Sequence, residues 1–322
     1  MTHPKYSVVI PVYNRPDEVR DLLESLLAQT RKDFEVILVE DGSDVTCETV
    51  VQEYEKHLSI RYYFKANSGP GPARNFGFAH ALGSYFIVFD SDCILPPGYF
   101  EAVDQALMLT PLDAWGGPDR AHEKFSPSQR AMAYTMSSIL TTGGIRGGKK
   151  RVGWFQPRSF NMGISRQVFE ATGGFRFDRF AEDIEFSIRM KKAGFRVGLI
   201  PEAFVFHKRR SNFFQFLKQV YNFGKGRALV GIAHPEEVKL THWFPAVFTL
   251  GTFMLPFLYL TDGVLFFIAS GFFSFYLIAI LLHSLYANRH LGVAILSVVS
   301  ALLQLWGYGT GFLAQKIRQK KT

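Results

Sequence analysis

Two short acidic motifs contain the residue types best suited to chemistry. Asp90-Ser91-Asp92 follows the apolar run Tyr85-Phe-Ile-Val-Phe, so its two carboxylates lie on one short turn. Carboxylates in that arrangement could hold Mg²⁺ or Mn²⁺ together with phosphate oxygens of a ligand. Such an ion would neutralise the charge that develops on a departing nucleotide. An isolated D-x-D is also common in polar turns after strands, so the motif alone leaves both interpretations open.

The second motif, Glu182-Asp183, stands at the start of a predicted helix from Ala181 to Ala193. The positive end of a helix dipole favours an ionised carboxylate, which can act as a general base. First-turn acids also occur in helices without a catalytic role, and the motif alone weighs the two interpretations evenly. His207 follows the apolar run Phe204-Val-Phe, where a histidine could equally be a ligand or a structural residue.

Alternating strand and helix patterns must position the first of these motifs. Apolar, β-branched runs predict strands at Tyr6 to Pro11, Phe34 to Val39, Ile60 to Phe64 and Tyr85 to Phe89. Apolar spacing predicts helices at Asp17 to Gln29, Cys47 to His57 and Ala73 to Leu82. This alternation indicates an α/β fold with a parallel sheet. Ligands bind at the C-terminal ends of such strands, so we expect the acidic clusters at 40–41 and 90–92 to be neighbours.

The charge is divided unevenly along the chain. Residues 1–206 contain 24 Lys and Arg against 25 Asp and Glu, whereas residues 207–322 contain 12 against 3. The basic part alternates with long apolar runs, which favours membrane lipid over nucleic acid as its partner. The two cysteines, Cys47 and Cys93, provide no disulfide or metal framework and fit a reducing compartment. The run Val8-Val-Ile10 is too short for a signal peptide, so we expect the first domain to be cytoplasmic.

The composition becomes strongly apolar from Trp243 onward. Asp262 is the one formally charged residue up to Leu285, and residues 291–313 contain none. Three membrane spans are therefore predicted near 243–261, 263–286 and 291–313. Hydrophobic hairpins buried in a soluble protein are the alternative.

The basic C-terminal tail conflicts with three spans. An odd number of spans separates the tail from the N-terminal domain, although Lys316, Arg318, Lys320 and Lys321 would prefer the cytoplasmic side. One segment is re-entrant or interfacial, or the rule is broken, and the sequence does not decide. Residues 208–242 mix aromatic with basic residues, which is typical of an amphipathic helix at the membrane surface or of a helix packed on the catalytic domain.

Five segments resemble, in order, the motif set of glycosyltransferase family 2. They are Ser7-Val-Val-Ile-Pro-Val-Tyr-Asn-Arg-Pro16, Val39-Glu-Asp-Gly-Ser-Asp44, Gly71-Pro-Ala-Arg-Asn-Phe-Gly77, Phe89-Asp-Ser-Asp92, and Gly173-Gly-Phe175 with Ala181-Glu-Asp-Ile-Glu-Phe186. The ordered set is specific and covers residues 6–207, whereas the apolar region has no comparable signature. The resemblance implies a GT-A fold, Rossmann-like with a mostly parallel sheet, and inverting transfer from a nucleoside diphosphate sugar.

The resemblance also assigns residues to the donor. The expected nucleotide and donor contacts are Pro11, Tyr13, Asn14, Glu40, Asp41, Ser43, Arg74, Asn75 and Asp90. Asp90, Asp92 and His207 would hold the divalent cation, Mg²⁺ or Mn²⁺. Glu40 stands where the family often has Asp, a departure that keeps the carboxylate.

Inverting transfer needs one base on the face opposite the leaving group, and the family motif gives that role to Asp183. Glu182 is expected beside the acceptor. Asn161 and Met162 are expected at the donor sugar or acceptor, because Ser159-Phe-Asn-Met-Gly163 resembles the segment that lines that pocket. An Asn that caps its own turn is the alternative for Asn161.

The sequence therefore predicts a GT-A domain at 1–207, an interfacial linker at 208–242 and a transmembrane region at 243–322. Its leading function is sugar transfer onto a lipid-linked glycan at the inner membrane, as in polysaccharide biosynthesis for the cell envelope, and transfer onto a polyprenyl phosphate is the near alternative. A transporter or channel with a nucleotide-sensing domain is disfavoured, because His283 is almost alone as an ionisable group in the spans. An inactive glycan-binding relative would be expected to lack Asp90, Asp92 or Asp183, and all three are present.

Overall fold

A computed structural model describes residues 3–120, 126–142, 154–207 and 212–319. The described residues form two compact units, 3–120 with 154–207 and 126–142 with 212–319. The strands are β1 (Tyr6–Val12), β2 (Phe34–Asp41), β3 (Ile60–Lys65), β4 (Tyr85–Phe89), β5 (Cys93–Ile94), β6 (Ala114–Gly116), β7 (Asp119–Arg120), β8 (Asn161–Ser165), β9 (Val197–Leu199) and β10 (Val205–His207). The helices are α1 (Pro16–Leu27), α2 (Glu48–Tyr54), α3 (Pro70–His80), α4 (Tyr99–Leu109), α5 (Pro127–Ser137), α6 (Ile139–Thr142), α7 (Arg166–Thr172), α8 (Glu182–Lys192), α9 (Phe213–Ala233), α10 (Phe244–Thr261), α11 (Gly263–Asn288) and α12 (Leu291–Gln319).

The first unit is built on a seven-stranded sheet in the order β3-β2-β1-β4-β8-β6-β9. Strands β1 to β4 are parallel, β8 is antiparallel to both β4 and β6, and β6 pairs with β9 in parallel. The prediction of a mostly parallel α/β sheet is confirmed. The predicted strands agree with β1 to β4 within about two residues, the usual boundary uncertainty.

Both faces of the central strands are buried, which explains their continuous apolar sequences. Val8 and Ile10 of β1 face one hydrophobic cluster with α1 and α4, while Val9 faces a second cluster with α3 and α8. This double burial fixes the register of β1 between β2 and β4. The loops that follow these strands therefore start from a rigid edge.

A small second sheet has the order β5-β10-β7 and brings β10 beside the turn after β4. In it, the backbone of His207 is in register with Cys93, the residue after Asp92. The side chain of His207 lies outside the described part of the chain.

The second unit contains three helices long and apolar enough to cross a membrane, α10, α11 and α12. They correspond to the three predicted spans, and α9 corresponds to the predicted amphipathic segment. Asp262 caps α11 by accepting hydrogen bonds from the backbone N–H groups of Val264 and Leu265, which explains the tight connection after α10.

Helices α5 and α6 are the exception to the expected domain boundary. The sequence placed them in the 1–207 domain, but they pack with the C-terminal helices instead. Met132 and Met136 are buried against Phe216 and Val220 of α9, and Arg130 Nη2 donates to the carbonyl of Asn288 at 3.1 Å. The apolar face of α5 is thus buried against the C-terminal helices.

Candidate active site

The turn after β4 holds its two carboxylates in different surroundings. Asp92 is buried, and its Oδ2 accepts a hydrogen bond from Arg15 Nη1 at 2.6 Å. Asp90 is about one-third exposed, and its Oδ1 accepts from Arg74 Nη2 at 2.8 Å. Arg15 comes from the loop after β1 and Arg74 from α3, so both neighbouring segments converge on this turn.

Arg74 connects this turn to the start of α8. Its side chain is 3% exposed, and its Nη1 donates to Glu182 Oε1 at 2.9 Å while its Nη2 holds Asp90. The guanidinium also lies over the ring of Phe175, 5.2 Å from the centroid. A buried arginine with two carboxylate partners keeps its charge, and it fixes both carboxylates relative to α3.

The backbone that enters α8 is strained. Phe180 and Ala181 have φ of 63° and 60°, a left-handed conformation that costs energy in residues other than glycine. Two consecutive residues of this kind turn the chain sharply, so that α8 begins with Glu182 at Arg74. Such strain is concentrated at functional sites, because the surrounding structure must hold it in place.

The acids at the start of α8 have distinct partners. Burial raises the pKa of Glu182, and the charge of Arg74 opposes that rise. Glu185 is buried and bonds to Arg189 through both of its oxygens, at 2.7 and 2.9 Å. Both residues are thus held by arginines within the protein.

Asp183 is the least constrained acid of this first turn. Its Oδ1 accepts from the backbone N–H of Ile184 at 2.8 Å, and its Oδ2 lies 3.6 Å from Arg158 Nη1. The side chain is 16% exposed. It is therefore oriented by one hydrogen bond and one cation while it remains accessible to a ligand.

Asp41, at the end of β2, organises the loop that leads into α3. Its Oδ1 accepts from Lys65 Nζ at 2.6 Å and from the Ser68 N–H at 3.0 Å, and its Oδ2 accepts from the Gly69 N–H at 2.8 Å. Gly69 has a φ of 102° and packs against the Asp178 carbonyl, where a Cβ would stand 2.6 Å from the oxygen. Only glycine fits that approach.

The loops after β1 and β2 are joined through Asn14. Its N–H donates to Ser43 Oγ at 2.7 Å, and its Oδ1 accepts from the N–H groups of Asp44 and Val45 at 2.8 and 3.0 Å. Pro11 lies in β1 opposite Val39, and Tyr13 is about half exposed. These residues form the edge of the sheet where the sequence predicts the nucleotide.

Glu40 is turned away from that edge. It is fully buried and accepts hydrogen bonds from Ser43, from the N–H and thiol of Cys47, and from Tyr62. Burial, together with the bond to Glu40, raises the pKa of the Cys47 thiol. The structure thus places Glu40 inside the fold, where it holds Ser43 of the loop after β2 and Cys47 at the start of α2, rather than facing a ligand as expected.

Of three other expected ligand contacts, Asn75 is partly buried and bonded to the backbone, and Asn161 and Met162 lie in the interior. Asn75 exchanges two hydrogen bonds with the backbone of Phe175, at 2.7 and 2.8 Å. Asn161 is fully buried, accepts from Tyr99 at 2.6 Å and donates to the Ala203 carbonyl at 2.8 Å. Met162 is also fully buried. The expected contact of Asn161 or Met162 with a sugar does not fit this arrangement, because β8 is covered on both faces.

The family is decided by a match over the segment that carries these loops. The family model described as glycosyl transferase family 2 matches residues 7–173, about half of the chain. The chain belongs to glycosyltransferase family 2. A second model of the same group, glycosyl transferase family group 2, matches residues 148–299 and so extends into the apolar helices. The family assigns this chain to the transferase enzymes.

Several curated relatives of this family 2 chain are described as uncharacterized glycosyltransferases. One from Rickettsia felis is 43% identical over 27% of this chain and 15% of its own length. EpsJ from Bacillus subtilis is 27% identical over 65% of this chain and 62% of its own length. The chain spans less than two thirds of either relative.

Solved structures show the same GT-A fold. Mannosyltransferase PcManGT from Pyrobaculum calidifontis, in complex with GDP-Man and Mn²⁺, matches with a TM-score of 0.58 and 16% identity over 99% of this chain and 88% of its own. TarS residues 1–349 from S. aureus, in complex with UDP-GlcNAc, matches with a TM-score of 0.52 and 18% identity over 98% and 92%. At this identity the likeness concerns the fold alone.

The carboxylate oxygens of the turn after β4 fit a divalent cation. In the described residues no group of three His, Cys, Asp or Glu side chains comes together as a metal centre. Mg²⁺ and Mn²⁺, however, are commonly bound by one or two carboxylates and completed by substrate phosphates and water. Asp90 and Asp92 supply two hard oxygen donors on one turn, which is the protein share of such a site.

Sequence reasoning missed three basic residues of this family 2 site: Arg15, Lys65 and Arg158. Each pairs with a predicted acid, Asp92, Asp41 and Asp183 respectively. Their position gave a usable signal, because Arg15 immediately follows the Asn14 loop and Arg158 precedes the Ser159 segment. Charges in loops at a ligand edge are candidates for pairing with the acids there.

Proposed function

We propose that this chain transfers a sugar from a nucleoside diphosphate sugar to a hydroxyl of a membrane-associated acceptor, with inversion at the anomeric carbon. The observation that carries the proposal is the Arg74 bridge between Asp90 and Glu182. It connects the turn suited to a diphosphate and cation with the helix that presents Asp183. The proposal thereby places the donor at the Asp90 side of Arg74 and the acceptor at the Glu182 side.

The donor is assigned to the edge formed by the loops after β1, β2 and β4. The loop Pro11 to Asn14 and the Asp41 region are proposed to hold the nucleoside, and Asp90 the ribose and diphosphate. A cation held by Asp90 and Asp92, with His207 as a third proposed ligand, would neutralise the charge on the leaving diphosphate. The ion pairs of Arg15 and Arg74 hold the two carboxylates in place in the absence of donor.

Asp183 is the proposed general base. The acceptor oxygen forms a bond to the anomeric carbon from the face opposite the diphosphate, and the carbon–oxygen bond to the diphosphate breaks. The acceptor proton passes to a carboxylate oxygen of Asp183, and the nucleoside diphosphate leaves with the bonding electron pair. Arg158 Nη1 lies 3.6 Å from Asp183 Oδ2 and helps to orient the carboxylate before the transfer.

The donor class is supported by the fold neighbours, which bind GDP-Man and UDP-GlcNAc. Membrane attachment is supported by the three long apolar helices that follow α9. We propose the cytoplasmic face of the inner membrane as the location and a lipid-linked glycan as the acceptor. A glycan on a lipid is present at the surface to which such helices confine the enzyme.

The test is a donor panel with purified, detergent-solubilised full-length enzyme. UDP- and GDP-sugars are incubated with Mn²⁺ or with chelator, with and without extracted membrane lipids, and nucleoside diphosphate release is measured. The proposal predicts release of one nucleoside diphosphate that needs both the cation and the lipid extract. Label recovered on a short polyprenyl phosphate instead of a glycan would assign the alternative acceptor. Absence of release with every donor would contradict the proposal.

A further inference from the structure

The second half of α12 lies directly along α9. A Cβ on Gly224 of α9 would stand 2.1 Å from the Tyr308 carbonyl oxygen, and one on Gly311 of α12 would stand 2.0 Å from the Tyr221 carbonyl oxygen. The contact continues to Gly231, whose Cβ position is 3.9 Å from Lys316 Nζ. Glycines thus let the two backbones touch over several turns, so residues 307–316 lie at the same depth as α9.

Helix α9 cannot lie in the distal half of a bilayer. It precedes every helix of the described chain that is long and apolar enough to cross a membrane. It also carries Lys218, Lys225 and Arg227, and each cation would be expensive in hydrocarbon. The end of α12 that packs on α9 is therefore on the side from which α10 enters.

The first turns of α10 lead to the same conclusion. Thr249 Oγ1 donates to the Leu305 carbonyl at 3.2 Å, and the ring of Trp243 is 4.9 Å from that of Phe312. As α12 advances from Leu305 to Phe312, it therefore moves toward the beginning of α10. A third span would instead move toward the end of α10.

The start of α12 also lies on the side from which α10 enters. Helices α10 and α11 form a hairpin in which Tyr259 meets Phe266 near the turn and Phe244 meets Tyr276 at the other end, with ring centroids 5.2 and 6.2 Å apart. From Tyr276 to Asn288, α11 continues for roughly 18 Å beyond the first turn of α10 at 1.5 Å per residue. There its Asn288 carbonyl accepts from Arg130, and His283 bonds to Tyr134 at 2.6 Å.

We infer that, among the described helices, only α10 and α11 cross the bilayer, and that α12 lies at the membrane surface on the side from which α10 enters. In the most apolar 18-residue stretch of α12, 44% is buried within the protein, against 11% and 6% in the corresponding stretches of α10 and α11. This difference is expected for a helix covered by protein instead of lipid. Ser297, Ser300 and Gln304 are buried along it, and Gln304 donates to the Thr141 carbonyl at 3.3 Å.

The exposed part of α12 suits the lipid interface. Leu291, Ile295 and Val299 are exposed at intervals of four residues and form one apolar stripe. Lys316 and Arg318 follow in the last turn, where they can reach anionic headgroups. This placement also removes the conflict between the basic tail and an odd number of spans.

Labelling of one added cysteine at a time tests this inference, which rests on the proposed membrane attachment but not on the proposed transfer chemistry. The native Cys47 and Cys93 are fully buried, so added thiols can be read in the natural background. Ile317→Cys reports the end of α12, Thr261→Cys the turn after α10, and Glu55→Cys the side of the first unit; all three positions are exposed. Sealed vesicles are treated with a membrane-impermeant maleimide before and after permeabilisation.

The inference predicts that the intact-to-permeabilised labelling ratio of Ile317→Cys equals that of Glu55→Cys, while Thr261→Cys shows the opposite sidedness. A ratio for Ile317→Cys that follows Thr261→Cys would overturn it and establish three spans. Equal labelling of all three positions in intact vesicles would overturn both the inference and the membrane attachment. The donor-panel assay reads the transfer chemistry independently of these outcomes.

Discussion

Arg74 contacts Asp90 and Glu182 through different nitrogens of one guanidinium, at 2.8 and 2.9 Å. The two acids are far apart in sequence and belong to the turn after β4 and the start of α8. A planar guanidinium can donate in two fixed directions, whereas a lysine ammonium is a point charge on a flexible chain. The candidate donor and acceptor sides therefore depend on the shape of this side chain as well as on its charge.

Replacement of Arg74 by Met should strongly destabilise the first unit. The change leaves the buried Glu182 without its cation, and loss of one partner of a buried ion pair costs about 3–5 kcal/mol. Arg20→Met is the matched control, because its pair with Glu53 lies at the surface, where such pairs contribute about 1 kcal/mol or less. Thermal unfolding in detergent measures both. An equal lowering of the unfolding temperature in the two variants would contradict the role given to Arg74.

Replacement of Asp92 by Ala should remove Mn²⁺ binding in the presence of nucleoside diphosphate, because it deletes a hard anionic ligand. Calorimetric titration of Mn²⁺ into protein saturated with UDP or GDP is the measurement. Asp44→Ala serves as the control, since Asp44 is exposed and uses its backbone N–H in the contact with Asn14. Unchanged Mn²⁺ affinity in Asp92→Ala would place the cation elsewhere.

Replacement of Gly311 by Leu should disrupt the packing of α9 on α12. A Cβ there would overlap the Tyr221 carbonyl oxygen, and overpacking of a tight contact costs about 1–3 kcal/mol or more. Gly251→Leu in α10 makes the same chemical change where no atom lies within 4 Å. Yield and thermal stability of detergent-solubilised protein should fall for Gly311→Leu alone. Matched losses in both variants would mean that the close packing does not support the fold.

The sequence predicted those parts of the fold whose signals are local. Each of strands β1 to β4 is an apolar run that ends in a polar loop, and parallel pairing brings those ends to one edge. The apolar helices were recognisable for the same reason, since length and composition suffice. The ordered motifs then placed Asp90, Asp92 and Asp183 on loops and a helix start where the structure also has them.

Contacts between distant segments could not be predicted in this way. Arg130 meets Asn288 across 158 positions, so nothing local in α5 indicated that it packs with the C-terminal helices. Asn161 stands in a motif associated with a pocket, but its amide is used by Tyr99 and Ala203. Side-chain direction on a strand reverses at each residue. A difference of one position along the strand therefore decides whether a polar group faces a ligand or the core.

The most direct test of the account is the Asp183→Asn variant. The amide keeps the size of the carboxylate but cannot take the acceptor proton, so transfer should fall by about 10² to 10⁴. Donor affinity should remain close to wild type, because the proposed donor residues lie on other loops. Asp178→Asn is the control, an exposed acid shortly before α8.

Single-turnover transfer and donor affinity are measured side by side for wild type, Asp183→Asn and Asp178→Asn. The account predicts a loss of transfer in Asp183→Asn alone, with donor binding retained in all three. If Asp183→Asn kept more than about a tenth of wild-type transfer, or lost donor binding together with transfer, Asp183 would not be the base.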